Sequence, residues 1–231
     1  MVVLGPPPLR LLAGELPRAA GQMARLPFAW RDLKRVPPGD GRPVLILPGL
    51  FNSDRSNVAL RRYLCAIGYD ARGWGLGRNL GQRTIGAQGD RLFARVADVH
   101  RETGRPVTLI GVSLGGIMAR IVAHRHPDEV RGVVTISAPF AGPPTATNVW
   151  RAYEMLSGAR IDDPAVRAFG EQAARVPPVP TLAIWSARDG LVNGAICHDP
   201  AQPHAEIASS HIWVQFNPAT LRAVARGLAA L

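Results

Sequence analysis

The pentapeptide Gly111-Val112-Ser113-Leu114-Gly115 sets a hydroxyl between two residues that lack side chains, where an apolar run gives way to small residues. A glycine two positions to either side lets the backbone bend sharply, so that the Ser113 hydroxyl stands clear of the chain. The chemistry open to it is nucleophilic attack on an acyl carbon. A serine hydroxyl near its free pKa is a weak nucleophile, so it needs a base within hydrogen-bond reach and a third group to fix that base. The anion formed on attack needs two N–H donors.

Asp189 follows the apolar run 181–186, and His211 follows the extended stretch 205–208. Both therefore fall in loops at strand ends, on the side where open α/β sheets collect their ligands. Asp162, Asp163 and Asp199 compete for the acid role. His100, His124, His126, His198 and His204 compete for the base; His124 and His126 lie at the far end of the helix that Ser113 begins, and His100 precedes the serine on a helix. The expected N–H donors are Leu114, directly after the serine, and Leu50 in Pro48-Gly49-Leu50-Phe51, with Phe51 as second choice.

These residues need a scaffold, and the apolar patterning supplies one. Short apolar runs at 43–47, 106–112, 132–137 and 181–186 alternate with helical periodicity at 85–102, 115–124 and 218–231. That alternation predicts a mostly parallel sheet with helices on both faces. Leu92, Val96 and Val99 are expected to face inward, as are Leu221, Val224, Leu228 and Leu231. A further strand near 69–74 leads into the glycine-rich loop GWGLGRNLG at 73–81, and Ser53 or Asp54 is placed to cap the helix carrying Leu60, Tyr63, Leu64 and Ile67. From 139 to 176 the alternation lapses into two helix-like pieces, read as an inserted cap on a core formed by 43–138 and 177–231. Residues 1–42 form an N-terminal helical or irregular segment. There Leu9, Leu12, Leu16, Met23 and Leu26 fall near helical spacing beside Arg10, Arg18 and Arg25, and Pro17 is expected to kink or end the helix.

With 231 residues, 47% hydrophobic and 19% charged, the chain fits one domain with a sizeable core. Its net charge is +10, but the arginines are scattered, Lys34 is the one lysine, and no basic run is interleaved with aromatics. No nucleic-acid partner is expected. Two cysteines, Cys65 and Cys197, make neither a disulfide framework nor a zinc site. No metal or cofactor is expected: Gly75-Leu76-Gly77 opens a dinucleotide-like pattern, but Leu80 stands where its third glycine belongs. Without a signal peptide or spanning segment a cytoplasmic location is expected, with peripheral membrane contact through the N-terminal segment as an option. Nothing in the pattern specifies an oligomeric state.

The chain order Ser, Asp, His and the serine's strand-to-helix setting resemble the α/β-hydrolase superfamily, and within it the bacterial serine esterases and lipase-like proteins, from residue 43 to about 228. LPGLFNSD stands where such proteins usually carry His-Gly, and GWGLGRNLG resembles a segment of esterase-like members. The resemblance implies an α/β-hydrolase fold with a small helical cap, Ser113 as nucleophile, Asp189 as orienting acid, His211 as base, and Leu50 and Leu114 as oxyanion donors. It implies hydrolysis of carboxylic esters through an acyl-enzyme; the same triad in an acyltransferase, or a non-catalytic binding protein, are the alternatives. Phe51, Trp74, Leu191 and Trp213 from the loops, with Trp150 and Tyr153 from the cap, predict an apolar pocket for a small-molecule or lipid-like ester.

Overall fold

Runs of Val, Leu and Ile buried on both faces form the centre of the structure, a computed structural model that describes residues 4–158 and 160–231. The first three residues of the N-terminal segment and residue 159 of the cap lie outside the described residues. The chain opens with α1 (Leu9–Ala13) and α2 (Glu15–Leu33). Six strands follow: β1 (Pro43–Leu47), β2 (Asp70–Gly73), β3 (Val107–Val112), β4 (Val130–Ile136), β5 (Thr181–Trp185) and β6 (His204–Glu206). All neighbours pair in parallel, in the order β2-β1-β3-β4-β5-β6. Helix α3 (Val58–Ala66) joins β1 to β2; α4 (Gln82–Ile85) and α5 (Asp90–Thr103) join β2 to β3; α6 (Leu114–Arg125) joins β3 to β4. Helices α7 (Trp150–Ser157) and α8 (Pro164–Ala174) come between β4 and β5, and α9 (Pro218–Ala230) closes the chain.

Every residue of β1 and β3 is buried, as a sheet covered on both faces requires. Leu60, Tyr63 and Leu64 of α3 and Leu221, Val224 and Leu228 of α9 pack on one face, where Leu33 of α2 joins them. Leu92, Val96 and Val99 of α5 pack on the other with Met118 and Val122 of α6. The parallel sheet with helices on both faces expected from the patterning is therefore observed, in keeping with the α/β-hydrolase fold that the resemblance implies.

The details differ in three places. Neither Ser53 nor Asp54 caps α3, which starts after Asn57; the Asp54 carboxylate instead accepts the N–H groups of Trp74 (2.9 Å) and Gly75 (3.0 Å). The expected helix over 85–102 divides into α4 and α5, parted by Gly86 and Gly89 at φ of 91° and 87°, where a side chain would be strained. Pro17 does not end its helix: it falls in the first turn of α2, where an N–H has no helical partner to lose, and the break comes at Gly14 instead. Among the described residues no helix is long and apolar enough to cross a membrane.

Candidate active site

The turn from β3 to α6 holds Ser113 at φ 52° and ψ −121°, a left-handed conformation for a residue with a Cβ. Its N–H is bonded to the Ile136 carbonyl of β4 at 2.8 Å, which anchors the strained residue to the sheet. The flanking glycines are demanded by contact. A Cβ on Gly111 would strike the backbone of Gly115, and a Cβ on Gly115 would strike the Leu47 carbonyl at the end of β1. A Cβ on Gly49 would stand 3.2 Å from that of Ser113, so the loop after β1 runs directly alongside the serine. Among the described residues the other non-glycine positive φ angles belong to Phe51 (66°) after β1, Ser137 (50°) after β4 and Trp213 (53°) near His211. Each such residue costs about 1–3 kcal/mol, and all four lie at the carboxyl ends of strands or in the loop beyond β6.

Asn79, fully buried, gives the glycine-rich loop a task that its sequence alone did not reveal. Its Nδ2 donates to the Pro48 carbonyl (2.7 Å), its N–H donates to the Asn52 carbonyl, and its own carbonyl accepts from Phe51 (both 2.8 Å). One residue thus staples GWGLGRNLG to the loop after β1. The Phe51 N–H is consumed in this staple. The N–H groups of Leu50 and Leu114 make no hydrogen bond among the described residues, and both residues line one cavity with Ser113.

Asp189 is buried just past β5. Its Oδ1 accepts the N–H groups of Leu191 (2.9 Å) and Val192 (2.8 Å), and its Oδ2 accepts from Nδ1 of His211 at 2.7 Å. That bond commits the proton of the neutral ring to Nδ1 and leaves Nε2 as the basic nitrogen. Burial works against charging the His211 ring, but the Asp189 charge and hydrogen bond outweigh it, with Glu15 adding to them, and hold its pKa above the ordinary 6.5. Beyond His211, Gln215 Nε2 donates to the carbonyl of Ser56, in the connection after β1, at 2.7 Å.

The competing residues are engaged elsewhere. His100 bonds the Arg105 carbonyl, His124 the Arg175 carbonyl, and His198 stacks on Trp185 at 4.1 Å. Asp162 pairs with Arg160 on the surface.

The cavity beside Ser113 has a volume of about 670 Å³ and is walled by Leu50 and Leu114, by Ile117 and Ile121 of α6, and by Trp150, Tyr153 and Phe169 of α7 and α8. The other expected pocket residues lie outside it. Trp74 is a core residue, fully buried beside Leu45 and Leu47, with its indole N–H on the Gly77 carbonyl. Phe51 is 40% and Trp213 41% exposed, and Leu191 packs against a small cluster around Val192 and Ile196. The loop positions suggested a pocket, but the deep core claimed one indole and solvent the other. Sequence reasoning also missed Arg120, which ties α6 to the end of α8 by donating to the carbonyls of Ala173 and Arg175, 3.8 Å over the Phe140 ring. Burial pushes its pKa down to about 10, against the raising influence of Asp199. Among the described residues no group of three or more His, Cys, Asp or Glu is placed to hold a metal.

Residues 42–155 match the family model for the alpha/beta hydrolase fold. The chain's structure is similar to that of the Bacillus licheniformis lipase BlEst2 in mature form, with a TM-score of 0.62 at 18% identity over 83% of this chain and 94% of that one. It is also similar to the Paleococcus ferrophilus monoacylglycerol lipase (0.59, 18% identity, 84% and 95% covered). A membrane phospholipase A described as a bacterial virulence factor matches over 96% of this chain and 95% of its own, at 16% identity and a TM-score of 0.55.

Proposed function

We propose that the protein is a carboxylic ester hydrolase that works through a serine acyl-enzyme and prefers esters with an apolar acyl chain. The observation that carries this reading is Ser113, on its strained elbow, forming part of the wall of a 670 Å³ cavity otherwise lined mainly by apolar side chains. An acyl chain buried there brings its carbonyl to the hydroxyl. His211 Nε2 takes the proton as the Oγ–C bond forms, and the N–H groups of Leu50 and Leu114 receive the oxyanion. Collapse breaks the bond to the alcohol, which leaves with the proton from His211; water then repeats the sequence and releases the acid. Asp189 stays ionised throughout. The similarity to a lipase, a monoacylglycerol lipase and a phospholipase supports an ester as substrate.

The test is turnover of p-nitrophenyl esters from acetate to palmitate by wild type, Ser113→Ala and His211→Ala. Longer chains are expected to outperform acetate in kcat/KM, and both variants to lose turnover. Full turnover by either variant overturns the assignment. Added alcohol separates the rival acyltransferase, which would divert the acyl group into a new ester instead of free acid.

A further inference from the structure

The segment before residue 42 lies outside the matched family region, yet it reaches into the site. Glu15, at the start of α2, is only 1% exposed. Its Oε1 accepts the Gly190 N–H at 2.7 Å, and its Oε2 accepts the N–H groups of His211 at 2.8 Å and Ile212 at 2.9 Å. Gly190 directly follows Asp189, so one carboxylate grips the backbone on both sides of the Asp189–His211 hydrogen bond. Arg18, one turn along, donates to Oε1 at 2.9 Å and to the Leu11 carbonyl at 2.6 Å. The grip is close: a Cβ on Gly190 would lie 2.5 Å from the Leu11 carbonyl, so α1 sits directly on the acid loop. Farther along α2, Gln22 Oε1 accepts from the Ser210 hydroxyl at 2.8 Å.

A buried carboxylate is costly unless hydrogen bonds satisfy it, and here both oxygens are fully engaged. Neutral side chains would suffice to dock a helix on the sheet. A charge beside the imidazole does something more, because a proton arrives on that ring during turnover.

We infer that Glu15 is a positioning residue for the His211 base: it locks together the loops presenting Asp189 and His211, and its charge steadies the imidazolium formed when Ser113 gives up its proton. The inference rests on the reading of His211 as base. The charged groups facing His211 are Asp189 on the loop after β5, and Glu15 with its partner Arg18 on α2. Glu15 acts in the same sense as Asp189 on the pKa of the ring.

The experiment is the pH profile of kcat/KM for the wild-type chain, Glu15→Gln, Arg18→Gln and Asp189→Asn, with thermal melts to verify folding. Glu15→Gln should lower kcat on the order of a hundredfold by loosening the base, leave KM nearly unchanged, and move the acid-limb midpoint down. Arg18→Gln should move the midpoint up, because the Glu15 charge then acts without its neighbour. These opposite shifts are not what general loosening of the helix would produce. If Asp189→Asn moves the midpoint down while Glu15→Gln keeps wild-type kcat and midpoint, the inference alone is overturned. If Asp189→Asn leaves the midpoint in place, the base assignment falls, and the inference with it. Should Glu15→Gln not fold, Arg18→Gln decides: a midpoint that stays or drops overturns the inference.

Discussion

The loops after β5 and β6 and the cap helices α7 and α8 are built from different materials. Around Asp189 and His211, nearly every polar atom is bonded: Asp189 to two backbone N–H groups and the imidazole, Glu15 to three N–H groups and Arg18, and Ser186 Oγ to both the N–H and the carbonyl of Ser209. Around the cavity, Trp150, Tyr153, Phe169 and Ile121 supply surface and shape, and the cap is fastened at its end by Arg120. Directional bonds fix where an atom sits, as proton transfer demands; apolar packing fixes a volume, as an acyl chain demands. A substitution on the first side should therefore change rate, and one on the second should change which substrate is favoured.

The largest expected effect is that of Ser113→Ala, which should cost on the order of 10⁶ in kcat while a fatty acid still binds the cavity with unchanged affinity in a competition assay. Equal loss of binding would erase the division between the two regions. Asp189→Asn should come next, at about 10⁴ in kcat, because the wrong tautomer is then favoured. The pH profile sharpens the polar side further. The raised His211 pKa means that kcat/KM should climb with pH through a midpoint above 6.5, since the base works neutral. Stability runs the other way: the His211 contribution is whole below the unfolded value and is lost as pH rises through the folded one, which denaturant titration across that range can follow.

Effects on the cap should be smaller and of another kind. Arg120→Met removes the donors to Ala173 and Arg175 and should destabilise the fold by about 2 kcal/mol, seen as a lower melting temperature. It should also raise KM for long-chain esters and leave kcat for the acetate unchanged. Trp150→Ala enlarges the cavity and should shift the chain-length optimum, changing the kcat/KM ratio of long to short esters by about tenfold. If Trp150→Ala instead lowered kcat equally for all chain lengths, the cap would belong to the positioning machinery.

What could be read from the sequence followed from how local each signal is. Gly111, Ser113 and Gly115 sit within one turn, and their clashes with Leu47 and with one another are consequences of that turn, so five residues were enough to find it. The buried strands were equally legible, because burial on both faces writes a continuous apolar run. The Glu15 clamp left no such trace: its partners on the two loops lie 175 to 197 residues away and are backbone N–H groups, which every residue but proline carries. Asn79 and Arg120 were hidden for the same reason, since both bond mostly to carbonyls of distant segments. Trp74 misled because its loop follows a strand end, while the ring itself turns back into the core.

The central claim, that His211 and Asp189 make Ser113 a nucleophile, is met most directly by reaction with a fluorophosphonate followed by peptide mass spectrometry. The account predicts a single adduct on Ser113, absent in Ser113→Ala and formed far more slowly in His211→Ala. An unlabelled wild type, an adduct on another residue, or a His211→Ala rate equal to wild type would contradict it.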